Sequence, residues 1–188
     1  MNPGLLATVN SLPVRHGIIG RPDNDTYLIT PGSDHNIKLR EMGGRSVLKL
    51  KLLLESGTDS IELYQEGLDT VYDFPVAKSV FDQVCFLLKT AASGDLSSIQ
   101  SFGAEGFIRT LSKCKPPVKT IEVPKTRSQY LVENGWVELA DILFPRKRTQ
   151  SISVHSYKKD VVEQTLEDLN VGNELRVMNY VRACRMWG

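Results

Sequence analysis

Asn36-Ile-Lys-Leu-Arg-Glu41 and Ser46-Val-Leu-Lys-Leu-Lys51, separated by Met42-Gly-Gly-Arg45, decide the fold. Side chains alternate between the two faces of a strand. Lys38 and Arg40 therefore share one face of the first run, and Lys49 and Lys51 share one face of the second. Ile37, Leu39, Leu48, Leu50 and Leu52 take the opposite faces. Glycine accepts the positive φ of tight turns, so the two runs are expected to close as a hairpin. Four cations would then gather on one side of a small sheet, facing either water or a polyanion.

Composition narrows the choice. The chain has 188 residues and 41% hydrophobic content, which suits one packed domain over 1–188. Its 23 basic and 22 acidic residues leave a net charge of +1, without the global field of a nonspecific nucleic-acid binder. No DNA partner is expected, and attraction for anions must come from local clustering. Cys85, Cys114 and Cys184 are widely spaced and odd in number, which points to free thiols in a reducing compartment. No signal peptide and no bilayer-length apolar run is evident, so a cytoplasmic protein without membrane contact is expected. Oligomeric state cannot be read from these features.

Outward from the hairpin, short strands alternate with turn residues in the manner of an antiparallel meander. Leu12 to Ile19 is a weak strand candidate around Arg15, and Arg21-Pro-Asp-Asn-Asp25 reads as a turn before a short strand over Thr26–Thr30. Ser60–Gln65 is a further strand, with Glu62 and Tyr64 on one face. From Pro75 the spacing becomes helical through Val76, Val80, Val84, Leu87, Leu88 and Ala91. A second helix over Ser97–Cys114 completes a helical insert of about 75–115. Strands resume over Val118–Val132, where Lys119, Lys125, Arg127 and Gln129 share a face. Pro124 there argues for an edge or a bulge. Trp136–Ile142 and Gln150–Ser156 follow, then helices over Asp160–Leu169 and Asn173–Met186. The expected fold class is α+β: an antiparallel barrel or strongly curled sheet with helices packed outside it.

Several chemistries find no support. There is no glycine-rich phosphate loop and no Gly-x-Ser-x-Gly elbow. His16, His35 and His155 have no metal-ligand spacing, and the cysteines lack a nucleophile context. Arg146-Lys147-Arg148 reads as a solvated loop in preference to a nucleic-acid patch.

Basic-x-basic pairs on successive strands, an acidic strand, a helical insert, a Lys-x-Arg strand and a Val-Glu-Leu-Ala-Asp strand resemble the triphosphate-tunnel, or CYTH-like, superfamily. The resemblance covers about Arg15 to Leu169. It implies an eight-stranded antiparallel tunnel whose lysines and arginines grip a triphosphate while glutamates hold a divalent metal. On this basis Arg15, Lys38, Arg40, Lys49, Lys51, Lys125 and Arg127 are expected to bind phosphate. Glu62 and Glu138 are the expected catalytic and metal-binding carboxylates, with Mg or Mn as the cofactor. Asp141 falls in the same acidic strand as Glu138, and parity turns Glu41 and Glu122 away from their basic neighbours. The family's N-terminal Glu-x-Glu-x-Lys is absent: its equivalent is taken as Leu12-Pro-Val-Arg-His16, and Ser151-Ile-Ser153 stands for the late acidic pair.

Metal supplies most of the charge neutralisation in phosphoanhydride hydrolysis and needs several oxygen ligands. Lysine and arginine alone still hold polyphosphate through charge-assisted hydrogen bonds. The expectation is therefore a diverged tunnel protein that binds a polyphosphate or phosphorylated small molecule, with weak metal-dependent phosphohydrolase activity. The alternative is a non-enzymatic interaction domain whose basic strands are a solvated face. Whether the chain is an enzyme is left open by the sequence.

Overall fold

The computed structural model describes residues 3–15, 18–42, 44–56, 61–65, 70–171 and 176–188. In chain order the elements are α1 (Pro3–Asn10), β1 (Arg21–Ile29), β2 (Asn36–Met42), β3 (Arg45–Lys51), β4 (Leu53–Ser56), β5 (Glu62–Tyr64), β6 (Thr70–Asp73) and β7 (Val76–Ala77). They continue with α2 (Lys78–Leu87), β8 (Ser101–Phe102), α3 (Ala104–Leu111), β9 (Lys119–Val132), β10 (Gly135–Phe144), β11 (Lys147–Ser156), α4 (Lys159–Asp168) and α5 (Tyr180–Trp187).

Seven strands form one antiparallel sheet in the order β11-β10-β9-β1-β2-β3-β6. The hairpin reading holds: Lys38 faces Lys49, Asn36 faces Lys51, and Gly44 takes a φ of +77° in the turn. The sheet is open but strongly curled. His155 on β11 stands close enough to Lys51 on β3 for the lysine charge to bear on its proton. Those strands are five steps apart in the sheet, about 24 Å if it were flat. Its two margins therefore turn toward each other.

Alternation sorts the sheet into two faces with separate cores. On the outer face, Leu28, Ile37, Leu39, Leu48 and Leu50 pack against Phe81, Val84 and Leu88 of the α2 region and Phe107 and Leu111 of α3. A second outer cluster joins Leu5 and Val9 of α1 to Tyr130, Val137 and Leu169. The inner face has an apolar end, where Tyr27, Ile29, Val123, Ala140, Ile142 and Phe144 meet Val181, Ala183 and Cys184 of α5. Four helices thus lie outside the sheet, as the pattern suggested, while α5 occupies one end of its interior. Among the described residues no helix is long and apolar enough to cross a membrane.

Several boundaries differ from the sequence expectation. Arg21–Asp25, read as a turn, is the start of the central strand β1, which pairs along its whole length with β9. Aspartate and asparagine disfavour strands as isolated residues, but here Asp23 and Asp25 are buried among cations from other strands, and that contact overrides propensity. Leu12–His16 forms only a bridge at Val14 to Tyr130, and His16 lies outside the described residues. Pro124 belongs to a central strand, but β10 pairs with β9 only as far as Lys125, so at Pro124 the strand has β1 alone as its neighbour and is locally an edge, as the proline suggested. The insert's second helix shortens to α3 behind the two-residue strand β8. The last helix begins at Tyr180, with Asn179 as its cap, and Asn173–Leu175 lie outside the described residues.

Candidate functional site

The inner face carries its charges in rows. Arg40 stands opposite Asp25, Lys38 opposite Tyr27, Lys125 opposite Asp23, and Arg127 opposite Arg21. Strand alternation thus turns the expected cations of β2 and β9 to one side and brings the two aspartates of β1 between them. Asp25 is the hub. It accepts hydrogen bonds from Lys38 Nζ (3.0 Å), Arg40 Nε (2.6 Å) and Arg40 Nη2 (2.9 Å), and Lys125 Nζ lies 2.9 Å away. Asp23 is in contact with Arg127 Nε and lies 3.8 Å from Arg21 and 4.0 Å from Arg40. Arg127 also reaches Glu138 at 3.2 Å, and Gln129 donates to Glu138 at 2.7 Å.

This cluster is buried. Lys38, Arg40 and Lys125 are 7%, 5% and 6% exposed. A solvated basic face is excluded for these three residues. Burial would raise the Asp25 carboxyl, but the Arg40 hydrogen bond and the Lys38 and Lys125 charges overturn it and hold the group well below the usual range. Burial likewise works against ionised Glu138 and is outweighed by Gln129, Lys125 and Arg127. Lys38 bears the opposite result. Burial, reinforced by the like charge of Lys125, pushes its ammonium down to about 7 despite the Asp25 contact. Lys125 also rests 4.7 Å over the ring of Tyr180 from α5, which is itself stacked on Tyr27 at 5.5 Å.

At the opposite end from α5, Trp136 on β10 stacks on His155 of β11, with ring centres 5.0 Å apart and planes 11° from parallel. Arg15 lies 4.6 Å from the centre of the indole, over its ring, and donates to Gln129 Oε1 at 3.0 Å. Ser153 Oγ is 3.0 Å from His155 Nε2. Burial, opposed by Glu138 but aided by Lys51, Lys125 and Arg127, pushes the His155 imidazole down to about 4, so it is neutral at pH 7.

Of the sequence-predicted residues, the structure gathers Lys38, Arg40, Lys125, Arg127 and Glu138 into one network and places Arg15 at its margin. Lys49 shares the face of Lys38, and Lys51 lies 5.8 Å from the ring of Tyr64. Glu62 stands apart from Glu138: it accepts from Tyr64 (2.8 Å) and from Asn179 (2.6 Å) at the start of α5. The reading of a first strand without carboxylates is corrected, because β1 supplies Asp23 and Asp25. The alternation Asp23, Asp25, Tyr27, Ile29 was the signal; Pro22 and Asn24 obscured it. Gln129 shares this face with Lys125 and Arg127 as expected, whereas Trp136, His155 and Tyr180 were missed as members of it. Among the described residues no group of three or more His, Cys, Asp or Glu side chains is placed to hold a metal ion. Two surface clefts, of about 290 and 300 Å3, lie beside Arg185 and beside Ile108; neither is lined by the cations of the network.

No family model matches the chain, and no curated protein matches it. Solved structures do. A putative adenylate cyclase from Bacillus halodurans aligns with a TM-score of 0.56 at 14% identity, covering 97% of this chain and 91% of that one. The PH1012 protein of Pyrococcus horikoshii OT3 aligns at 0.53 and 14%, covering 96% and 93%. A conserved hypothetical protein of Pyrococcus furiosus aligns at 0.52 and 14%, covering 95% and 91%. Near-complete coverage at such low identity speaks for the fold: this chain shares the α+β curled-sheet architecture of those three proteins.

Proposed function

We propose that this is a diverged CYTH-like protein that binds a triphosphate or another polyanionic phosphate against the inner face of its sheet. The observation that carries the reading is the imbalance at Asp25. Three cations converge on one carboxylate, and burial together with the Lys125 charge depresses the Lys38 ammonium to about 7. A site short of negative charge gains from an added anion, which relieves the repulsion between Lys38 and Lys125. Arginine's planar fork and lysine's point charge are both suited to phosphate oxygens.

Binding is favoured over hydrolysis. Asp23, Asp25 and Glu138 are each engaged by cations, so a Mg or Mn ion would enter a region already crowded with positive charge. The donor set present does not fit a divalent metal. Calorimetric titration of the wild type with tripolyphosphate at low salt tests the proposal. Binding is expected, with affinity falling about tenfold for Lys125→Met, the loss of one charge-assisted contact. Absence of binding by the wild type sinks the reading.

A further inference from the structure

The inner face carries one pair of groups that anion binding does not call on. Ser153 Oγ lies 3.0 Å from His155 Nε2, beside the cations. We propose that Ser153 is a phosphoryl acceptor: it takes the terminal phosphoryl group of a bound polyphosphate as a covalent phosphoserine, with His155 as its general base and without a metal ion. The proposal rests on the anion-binding reading above and adds a covalent step to it.

Placement is the first argument. Across the β10–β11 ladder Trp136 faces His155 and Glu138 faces Ser153. Strand alternation therefore turns Ser153 and His155 to the face that holds Glu138, Gln129 and Arg127. Glu138 is the link: it stands opposite Ser153 and lies 3.2 Å from Arg127. The charges of Lys51, Lys125 and Arg127 all bear on His155. A row of phosphates lying among these cations can bring its terminal group to the Ser153 hydroxyl. Ser153 and His155 are half-buried where Lys38, Arg40 and Lys125 are buried, so the hydroxyl is within reach of an incoming anion.

The second argument is how the pair is held. A serine bonded to a histidine two residues along its own strand often does no more than satisfy the ring. Here the imidazole is also fixed by stacking on Trp136, 11° from parallel, and Arg15 lies over the same indole. With its proton on Nδ1 the neutral ring accepts from the Ser153 hydroxyl at Nε2. Glu138 acts on the ring with the opposite charge and steadies the imidazolium that forms. A nucleophile, a base within hydrogen-bonding reach and a third group acting on that base form the arrangement that activates a hydroxyl.

The step balances without another reactant. Ser153 Oγ bonds to the terminal phosphorus as the bridging P–O bond breaks. The electron pair of that bond leaves on the shortened polyphosphate, and the hydroxyl proton goes to His155 Nε2. Lys51, Lys125 and Arg127 offset the charge on the transferred and leaving oxygens, the work a metal ion does in other phosphoryl transfers.

The test is intact-mass measurement of the full chain incubated with tripolyphosphate and a metal chelator. A gain of one phosphoryl group is expected, mapped to Ser153 by peptide analysis, with pyrophosphate released in equal amount. Ser153→Ala should abolish the gain, and Ser151→Ala, on the same face of the same strand, should keep it. His155→Gln is expected to slow the gain about a hundredfold, a usual contribution of a general base. Mapping on the wild type decides the question even where a variant fails to fold. A wild type that binds tripolyphosphate in calorimetry yet gains no phosphoryl group overturns the covalent step and leaves the anion site standing. Modification at another residue, or only when the chelator is replaced by Mg, overturns the step as well. A rate unchanged in His155→Gln overturns the role of the base. A wild type that neither binds nor is modified overturns both readings.

Discussion

Lys38 holds its ammonium 3.0 Å from Asp25 yet shares that carboxylate with Arg40 and Lys125. Burial, reinforced by the like charges of Lys125 and Arg40, leaves its proton weakly held, at about 7 against an ordinary 10.5. In the unfolded chain the group keeps its proton up to the ordinary value. Between about 7 and 10.5 the unfolded state thus binds more protons, and this residue's contribution to stability rises with pH there. Anion binding has the opposite sign. A bound polyphosphate stabilises the charged ammonium, so binding takes up a proton and tightens as pH falls from 8 to 6. The ligand's own ionisation weakens binding over the same range, so the comparison that counts is with Lys38→Met. The wild type is expected to gain affinity for tripolyphosphate relative to that variant as pH is lowered, by several-fold, in parallel calorimetric titrations. A constant ratio between the two proteins would show that Lys38 is not the titrating group.

Elements differ in how much of their placement was legible. The β2–β3 hairpin could be read because both of its faces alternate without interruption, from Ile37 and Lys38 through Leu50 and Lys51. β1 could not, since Arg21-Pro-Asp-Asn-Asp25 has turn composition and its charges are neutralised by Lys38, Arg40, Lys125 and Arg127, partners distant in the chain. The site followed the same division: the cations were visible as a pattern, while Asp25 at their centre was not. α5 showed a third case. Its apolar stripe says that the helix packs, but not that it packs inside the curl against Tyr27 and Ile142. The helix is anchored there by Asn179, which accepts from Arg182 N–H at 2.9 Å and donates to Glu62 at 2.6 Å. Asn179→Ala removes both and is expected to cost about 1–2 kcal/mol in urea denaturation. Glu62→Gln keeps an acceptor oxygen for Asn179 and should cost less. The reverse order would mean that Glu62 matters to this end of the molecule through its charge.

For the molecule as a whole, the net charge of +1 and the buried positions of its strongest cations belong together. A chain with no overall field cannot steer anions from a distance, so attraction must arise where Lys38, Arg40, Lys125 and Arg127 meet. Those groups lie on the inner face of the curl, and Lys38, Arg40 and Lys125 are buried there. Partial burial also limits screening, because counterions reach such groups poorly. The expected behaviour is a moderate salt dependence: tripolyphosphate affinity falling about tenfold between 50 and 200 mM salt, well short of the loss typical of a protein that covers many phosphates of a duplex. Duplex DNA should show no measurable binding at physiological salt in an anisotropy assay. Tripolyphosphate binding insensitive to salt would argue that the contact is not ionic. DNA binding of comparable strength would place the working surface on the exterior, where Arg146, Lys147 and Arg148 are exposed, and would move the search for function there.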